Sequence, residues 1–142
     1  MDAYYRGDQE SGITAPNLCK NVDFSDHIVR ARGKKTRYTS VSLEPGKIND
    51  FGEQVYILNQ EKLKADAHGL VEHQALMQNL REQSRTATKA RRIKAIQAIR
   101  YARKRLEGLV DWRFDISGID PEGIISWAYR KVQPYFARYD QK

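Results

Sequence analysis

Residues 30–58, RARGKKTRYTSVSLEPGKINDFGEQVYIL, carry the reading on which the fold of this 142-residue chain turns. Arg30, Arg32, Lys34, Lys35 and Arg37 open the stretch with no acid among them. They run straight into TRYTSVSL, whose β-branched and aromatic residues predict a strand. Side chains along a strand alternate between its faces, so Thr39, Val41 and Leu43 share one side and Tyr38, Ser40 and Ser42 the other. The expectation is a half-buried strand with hydroxyls on its open face. Glu44-Pro45 then reads as strand end and helix start, because proline holds φ near the helical value and its missing N–H is not needed in a first turn. Ile48, Phe51, Val55 and Leu58 follow at spacings of three and four, which places all four on one helical stripe.

A polar-faced strand leading into an amphipathic helix, here Ser40-Val41-Ser42-Leu43, Pro45 and the series Ile48, Phe51, Val55, Leu58, resembles the first half of a ribbon-helix-helix DNA-binding domain over residues 37–83. The resemblance implies that two subunits pair their strands into an antiparallel ribbon lying in the major groove. Tyr38, Ser40 and Ser42 would then read base edges, with Lys34, Lys35 and Arg37 on flanking phosphates. The chain departs from that family in two places. The polar segment 59–68 stands where a short interhelical turn belongs, and the second helix lacks a small polar start.

Working outward, 40% hydrophobic and 30% charged residues are enough apolar material for one core, so the chain is not read as disordered. The formal charge of +7 and pI near 9.6 favour a polyanionic partner, nucleic acid or an anionic membrane surface. Cys19 stands alone and forms no internal disulfide, and neither a hydrophobic signal core nor an 18-residue apolar run is present. A reducing, cytoplasmic location is the expectation.

Upstream of the basic run, residues 1–28 scatter Gly, Asp, Ser, Asn and Pro16 with little periodicity and read as a flexible arm. Tyr4 and Tyr5 interrupt it as a paired aromatic that docks on a partner subunit, stacks on a base or, the favoured reading, pins the arm to its own domain, and His27 stands isolated. Residues 29–142 read as a single, mainly helical DNA-binding and dimerisation domain. Downstream of the first helix, residues 59–68 prolong it or form a polar turn, with Gly69 the break. A second helix over 70–83 carries Leu70, Val71, Met77 and Leu80, and its expected packing partner is the stripe from Ile48 to Leu58.

The strongest helical signal is residues 84–108, SRTATKARRIKAIQAIRYARKRLEG, rich in Ala, Arg and Lys, free of proline and opened by hydroxyl residues. From Arg81 to Arg105 ten cations face the single acid Glu82. Arg85, Lys89, Arg91, Arg92, Lys94, Arg100, Arg103 and Lys104 are the candidate phosphate contacts, because neutralised phosphates release counterions. Ile93, Ile96, Ile99 and Leu106 lie among them, and the charges spread around much of the helix. The bland reading is a solvated basic face. Beyond, Trp112, Phe114 and Ile116 alternate as an extended segment, 117–123 is a turn with Asp120 as cap and Pro121 in the first helical turn, and a helix from Ile124 stops before Pro134. Tyr135, Phe136 and Tyr139 read as core or dimer surface.

No catalytic constellation emerges from spacing. His27, His68 and His73 have neither cysteines nor metal-ligand spacing, and each is expected to be satisfied or solvent-facing. A phosphate-binding glycine loop is absent; carboxylates are plentiful, Asp111, Asp115 and Asp120 among them, and a nuclease could assemble a Mg²⁺ site from such residues distant in sequence. The expectation is therefore a mainly α fold with one or two short strands: a ribbon-helix-helix-like N-terminal unit, a long basic helix and a C-terminal helical segment. Functionally it is a non-enzymatic, sequence-specific double-stranded DNA-binding protein acting in transcription regulation, without cofactor, metal or membrane, as a homodimer or higher homo-oligomer. One alternative is an RNA-binding protein using Tyr4, Tyr5 or Tyr101 for stacking. Another is an inhibitor or antitoxin-type protein whose basic helix covers an acidic protein partner.

Overall fold

The computed structural model describes residues 2–30, 34–48, 54–86 and 88–140. Its centre is a six-stranded, wholly antiparallel sheet rather than a helical bundle with one or two strands, so the mainly α expectation is overturned. The elements run β1 (Tyr5–Asp8), α1 (Phe24–Ile28), β2 (Tyr38–Ser42), β3 (Gln54–Leu58), α2 (Gln60–Ala65), β4 (Gly69–Val71), α3 (His73–Thr86), α4 (Lys89–Arg105), β5 (Glu107–Asp111), α5 (Ile124–Val132), a 3₁₀ turn (Gln133–Tyr135) and β6 (Phe136–Arg138). Strand order across the sheet is β4-β5-β2-β1-β3-β6.

The stretch that reads as the first helix supplies the largest correction. Val55 and Leu58 belong to strand β3, whose residues QVYIL pair with β1 on one side and β6 on the other. The three-and-four spacing fitted a helix, but Val55, Tyr56 and Ile57 side by side are strand formers, and tertiary pairing takes them. Phe51 lies outside the described residues. A ribbon-helix-helix unit needs a helix reaching Leu58 and a strand with no same-chain neighbour; among the described residues 54–58 form a strand, and β2 pairs with β1 and β5.

The presumed arm is likewise part of the sheet. Tyr5–Asp8 is an interior strand between β2 and β3, and Tyr4 beside it is buried, its hydroxyl accepting the His73 N–H at 2.8 Å. Strand β2 was read in the right place but not in the right surroundings. All five of its residues are buried, because helices cover both faces of the sheet.

On one face Tyr38 of β2 and Leu109 of β5 pack with Leu76, Met77 and Leu80 of α3, Ala98 and Ala102 of α4, and Ile28 of α1. On the other, Val41 and Val110 join Tyr4, Tyr56, Leu63 of α2, Trp112, Val132 of α5 and Tyr135. Helix α3 therefore packs on α4, not on the Ile48-to-Leu58 segment, while Leu70 and Val71, expected in the second helix, form β4. The polar segment after β3 becomes α2 because Asn59 caps it, accepting the Lys62 N–H at 3.0 Å.

The end of α4 places the functional region. Leu106 adopts a left-handed conformation (φ 50°), its N–H closing on the Ala102 and Arg103 carbonyls, and the chain leaves the helix directly into β5. Glu107 thus becomes the first residue of a central strand rather than part of the helix. Gly108 follows of necessity: a Cβ there would sit 2.8 Å from Tyr4 Cε1 and 3.0 Å from the Val71 carbonyl oxygen. The helix from Ile124 ends at Val132, before Pro134, as the sequence predicts. The chain then returns to pair β6 with β3.

Candidate active site

Strands β1 and β2 meet at a single register pair, Tyr5 opposite Ser42, and then splay apart. The gap is a notch lined by Arg6, Thr14, Pro16, Arg30, Lys35, Thr36 and Ser40, with about 10 Å³ of free volume. That is room for roughly one water molecule. Arg6 lies across it, 4% exposed, its Nη1 donating to the Ser40 carbonyl at 2.9 Å and its Nε to Asp8 Oδ2 at 2.8 Å. Asp8 is fully buried and also accepts the Thr14 N–H (2.9 Å), the Thr14 hydroxyl (2.7 Å) and the Gln9 N–H (2.8 Å). Burial works to raise its pKa, but the Arg6 charge and the Thr14 hydrogen bonds outweigh it and hold the carboxyl below the usual range.

On the β2–β5 side, Ser40 Oγ is 2.8 Å from Glu107 Oε2 and 2.8 Å from His27 Nε2, and His27 Nδ1 contacts Thr36 Oγ1. Burial pushes His27 well below the ordinary imidazole value, and the Arg30, Arg6 and Arg105 charges push the same way, so the ring is neutral at pH 7. Counting protons then orients the whole chain. With Glu107 ionised, the form its Arg105 neighbour favours, it only accepts, so the single Ser40 hydroxyl proton points at it, Ser40 accepts from His27 Nε2–H and His27 Nδ1 accepts from Thr36. The Thr36 oxygen in turn accepts the Tyr38 N–H at 3.2 Å. Arg105 Nη1 lies 3.7 Å from the other Glu107 oxygen.

This arrangement does not activate Ser40 as a nucleophile. An attacking serine must give its proton to the imidazole, and here the imidazole donates to the serine while the serine proton is held by Glu107. The convergent chemistry is instead a buried carboxylate of fixed orientation on β5, a buried guanidinium two strands away on β1 and two further cations, Arg30 and Lys35, at the rim. Replacing such buried ionic groups with apolar ones is often neutral or stabilising, so fold stability alone does not account for Arg6 at the notch with Glu107 buried behind Ser40.

A larger cleft, about 550 Å³, lies between α2 and β4, lined by Glu61, Leu63, Lys64, His68, Leu70 and Glu72. Its chemistry is weaker. His68 Nδ1 accepts the Arg113 N–H at 2.9 Å while its ring packs edge-on against Trp112, Phe114 and Tyr135. This is a satisfied core histidine, its pKa lowered chiefly by burial. Among the described residues no cluster of three or more His, Cys, Asp or Glu could hold a metal ion, so Asp111, Asp115 and Asp120 do not converge. Among the same residues no helix is long and apolar enough to cross a membrane.

The residues singled out from sequence separate into two groups. Tyr38, Ser40 and Ser42 are buried in the sheet, and Ser42 Oγ donates to the Arg105 carbonyl at 2.6 Å, so none of the three presents a groove-reading surface. Arg37 pairs with Asp111 at 3.1 Å and donates to the Tyr38 hydroxyl at 2.7 Å; Lys34 is exposed and Lys35 half-buried at the notch rim. On α4, Arg91 and Lys94 are paired with Asp23 (3.1 Å) and Asp26 (2.6 Å) near α1. Lys89, Arg92, Arg100, Arg103 and Lys104, with Arg85 at the end of α3, stay exposed. Arg32 lies outside the described residues. Sequence reasoning missed Arg6, Asp8, His27, Thr36 and Glu107 as a group, since no spacing links positions 6, 27, 40 and 107. The local signal that was present is Tyr4-Tyr5-Arg6, an aromatic pair of strand formers leading into a cation.

No family model, curated protein or solved structure matches the chain.

Proposed function

We propose that the notch between β1 and β2 is the active site of a group-transfer enzyme acting on an activated ribosyl donor, a nucleotide or dinucleotide. The observation that carries this is the convergence of Arg6, Ser40 and Glu107 from three adjacent strands, with Ser40 holding one carboxylate oxygen of Glu107 at 2.8 Å and Arg6 2.9 Å from the Ser40 carbonyl oxygen. Guanidinium groups suit phosphate oxygens, and Arg6 with Arg30 and Lys35 offers them at the opening. A carboxylate beside the sugar accepts a ribose hydroxyl and stabilises positive charge developing at the anomeric carbon.

The donor must be an activated one. With His27 neutral and its Nε2 proton engaged by Ser40, the cluster holds no general acid to protonate a departing group. The leaving group therefore departs with the bonding pair and without a proton, as a pyridinium base or a diphosphate does. An acceptor oxygen or nitrogen then bonds to the anomeric carbon and releases its own proton. The notch is water-sized and Glu107 lies fully buried behind Ser40, so a bound donor would have to widen the opening, at least by displacing the Arg30 and Lys35 side chains at its rim.

Calorimetric titration with ADP-ribose, NAD⁺, 5-phosphoribosyl diphosphate and UDP-glucose tests the reading. At least one ribosyl compound is expected to bind, with Arg6→Lys weakening it at least about tenfold through loss of the planar fork. Equal indifference of the folded protein to all four overturns it.

A further inference from the structure

We infer that the outer face of α4 is the docking surface for an acidic amphipathic helix of a partner protein. At about 100° per residue, the buried Ala95, Ala98 and Ala102 define the inward side of the helix, and Lys89, Arg92, Arg100, Arg103 and Lys104 all fall within about 120° on the side away from it. Among the described residues none of these five is in an ion pair, whereas Arg91 and Lys94, which fall outside that arc, are neutralised by Asp23 and Asp26. Ile93 and Ile96, each 51% exposed, sit within the same arc. The large hydrophobics that are exposed among the described residues are Ile93, Ile96, Tyr101 and Ile125, and three of the four are on α4.

That combination decides the class of occupant. A phosphate backbone is met by the cations and has no use for two isoleucines set among them; an anionic bilayer wants apolar and charged residues on separate faces. An apolar centre ringed by charge of one sign is instead the anatomy of a protein interface, with affinity from the buried anchors and specificity from the charges. Small Ala residues on the inward face seat α4 close to α3, so the long side chains radiate outward along roughly 22 Å of helix, about four turns, a length that one partner helix can span. The inference concerns a surface distinct from the notch and does not rest on the activity proposed there.

The test is fluorescence anisotropy of the full chain against four probes. These are a synthetic helical peptide with leucines on one stripe and glutamates on both flanks, a scrambled peptide of the same composition, a mixed-sequence DNA duplex, and vesicles of anionic phospholipid. The helical peptide is expected to bind most tightly and the scrambled one at least about tenfold more weakly. The exposed double substitution Ile93→Ser/Ile96→Ser should lower helical-peptide affinity about tenfold, the scale of a lost anchor. The inference is overturned by tighter binding of duplex or vesicles, by equal binding of the scrambled peptide, by indifference to the double substitution, or by no peptide binding. Self-association that the double substitution abolishes assigns the face to a second copy of this chain and overturns it equally.

Discussion

The basic run entering β2 and the basic helix α4 have similar compositions and opposite fates. In the first, Arg37 is neutralised by Asp111 and Arg30 donates to the carbonyls of His27 and Lys34. The hydroxyls that follow are turned into the sheet, where Ser40 serves Glu107 and His27 and Thr39 accepts the Trp112 indole N–H at 2.8 Å. In the second, five cations and two isoleucines are exposed, and among the described residues none of the five is in an ion pair. Polar residues are held inside wherever a second polar group from elsewhere in the chain meets them, and that meeting is a property of the sheet order rather than of either segment.

Substitutions measure the contrast, and the largest effect belongs to the buried side. Asp8→Ala removes the acceptor of four hydrogen bonds and leaves the Arg6 charge buried without its carboxylate, so chemical denaturation should show a loss of about 3–5 kcal/mol. Ser40→Ala, which leaves Glu107 and His27 without their shared hydroxyl, should cost about 1–3 kcal/mol by the same measurement.

Acid provides a third contrast. Because the folded-state pKa of His27 is depressed, the native state binds its proton less readily than the unfolded chain. Its contribution is complete above the unfolded value near 6.5 and is lost as pH falls below it. Thermal midpoints should drop from pH 7 towards pH 5. His27→Gln, which cannot take up a proton, should flatten part of that limb and leave the share due to His68, whose pKa is lowered in the same direction. The smallest effect belongs to α4: Arg100→Ala should change stability by no more than about 0.5 kcal/mol, because its side chain is exposed and in no ion pair among the described residues. A loss comparable to that of Ser40→Ala would erase the distinction between the two regions.

Much of the local structure was legible and little of its assembly. The β-branched run at Tyr38–Ser42 announced its strand, and the Ala-rich segment and the proline stop announced α4 and α5. Strand β3 was misread because Ile48, Phe51, Val55 and Leu58 satisfy a helical spacing that outweighed the strand preference of Val55-Tyr56-Ile57. Strand β1 was missed because four residues among turn formers carry no periodicity, and it exists because β3 pairs with it residue for residue. Glu107 was absorbed into the preceding helix, whose end depends on one left-handed residue, Leu106, that no glycine or asparagine marks. With β1 and the start of β5 unread, Arg6, Ser40 and Glu107 could not be brought together, and the cluster became visible only when the order β5-β2-β1 set them side by side.

The central claim is that Glu107 does chemistry rather than holding the sheet together. It is tested most directly by following release of free nicotinamide from NAD⁺, or of diphosphate from 5-phosphoribosyl diphosphate, by the wild-type chain and by Glu107→Gln. The substitution keeps the shape of the side chain and an oxygen to accept the Ser40 hydroxyl. Measurable wild-type release, falling about a hundredfold or more in the variant with an unchanged thermal midpoint, is the predicted result. Equal release by the two proteins, or none from either donor by the folded wild type, would contradict it.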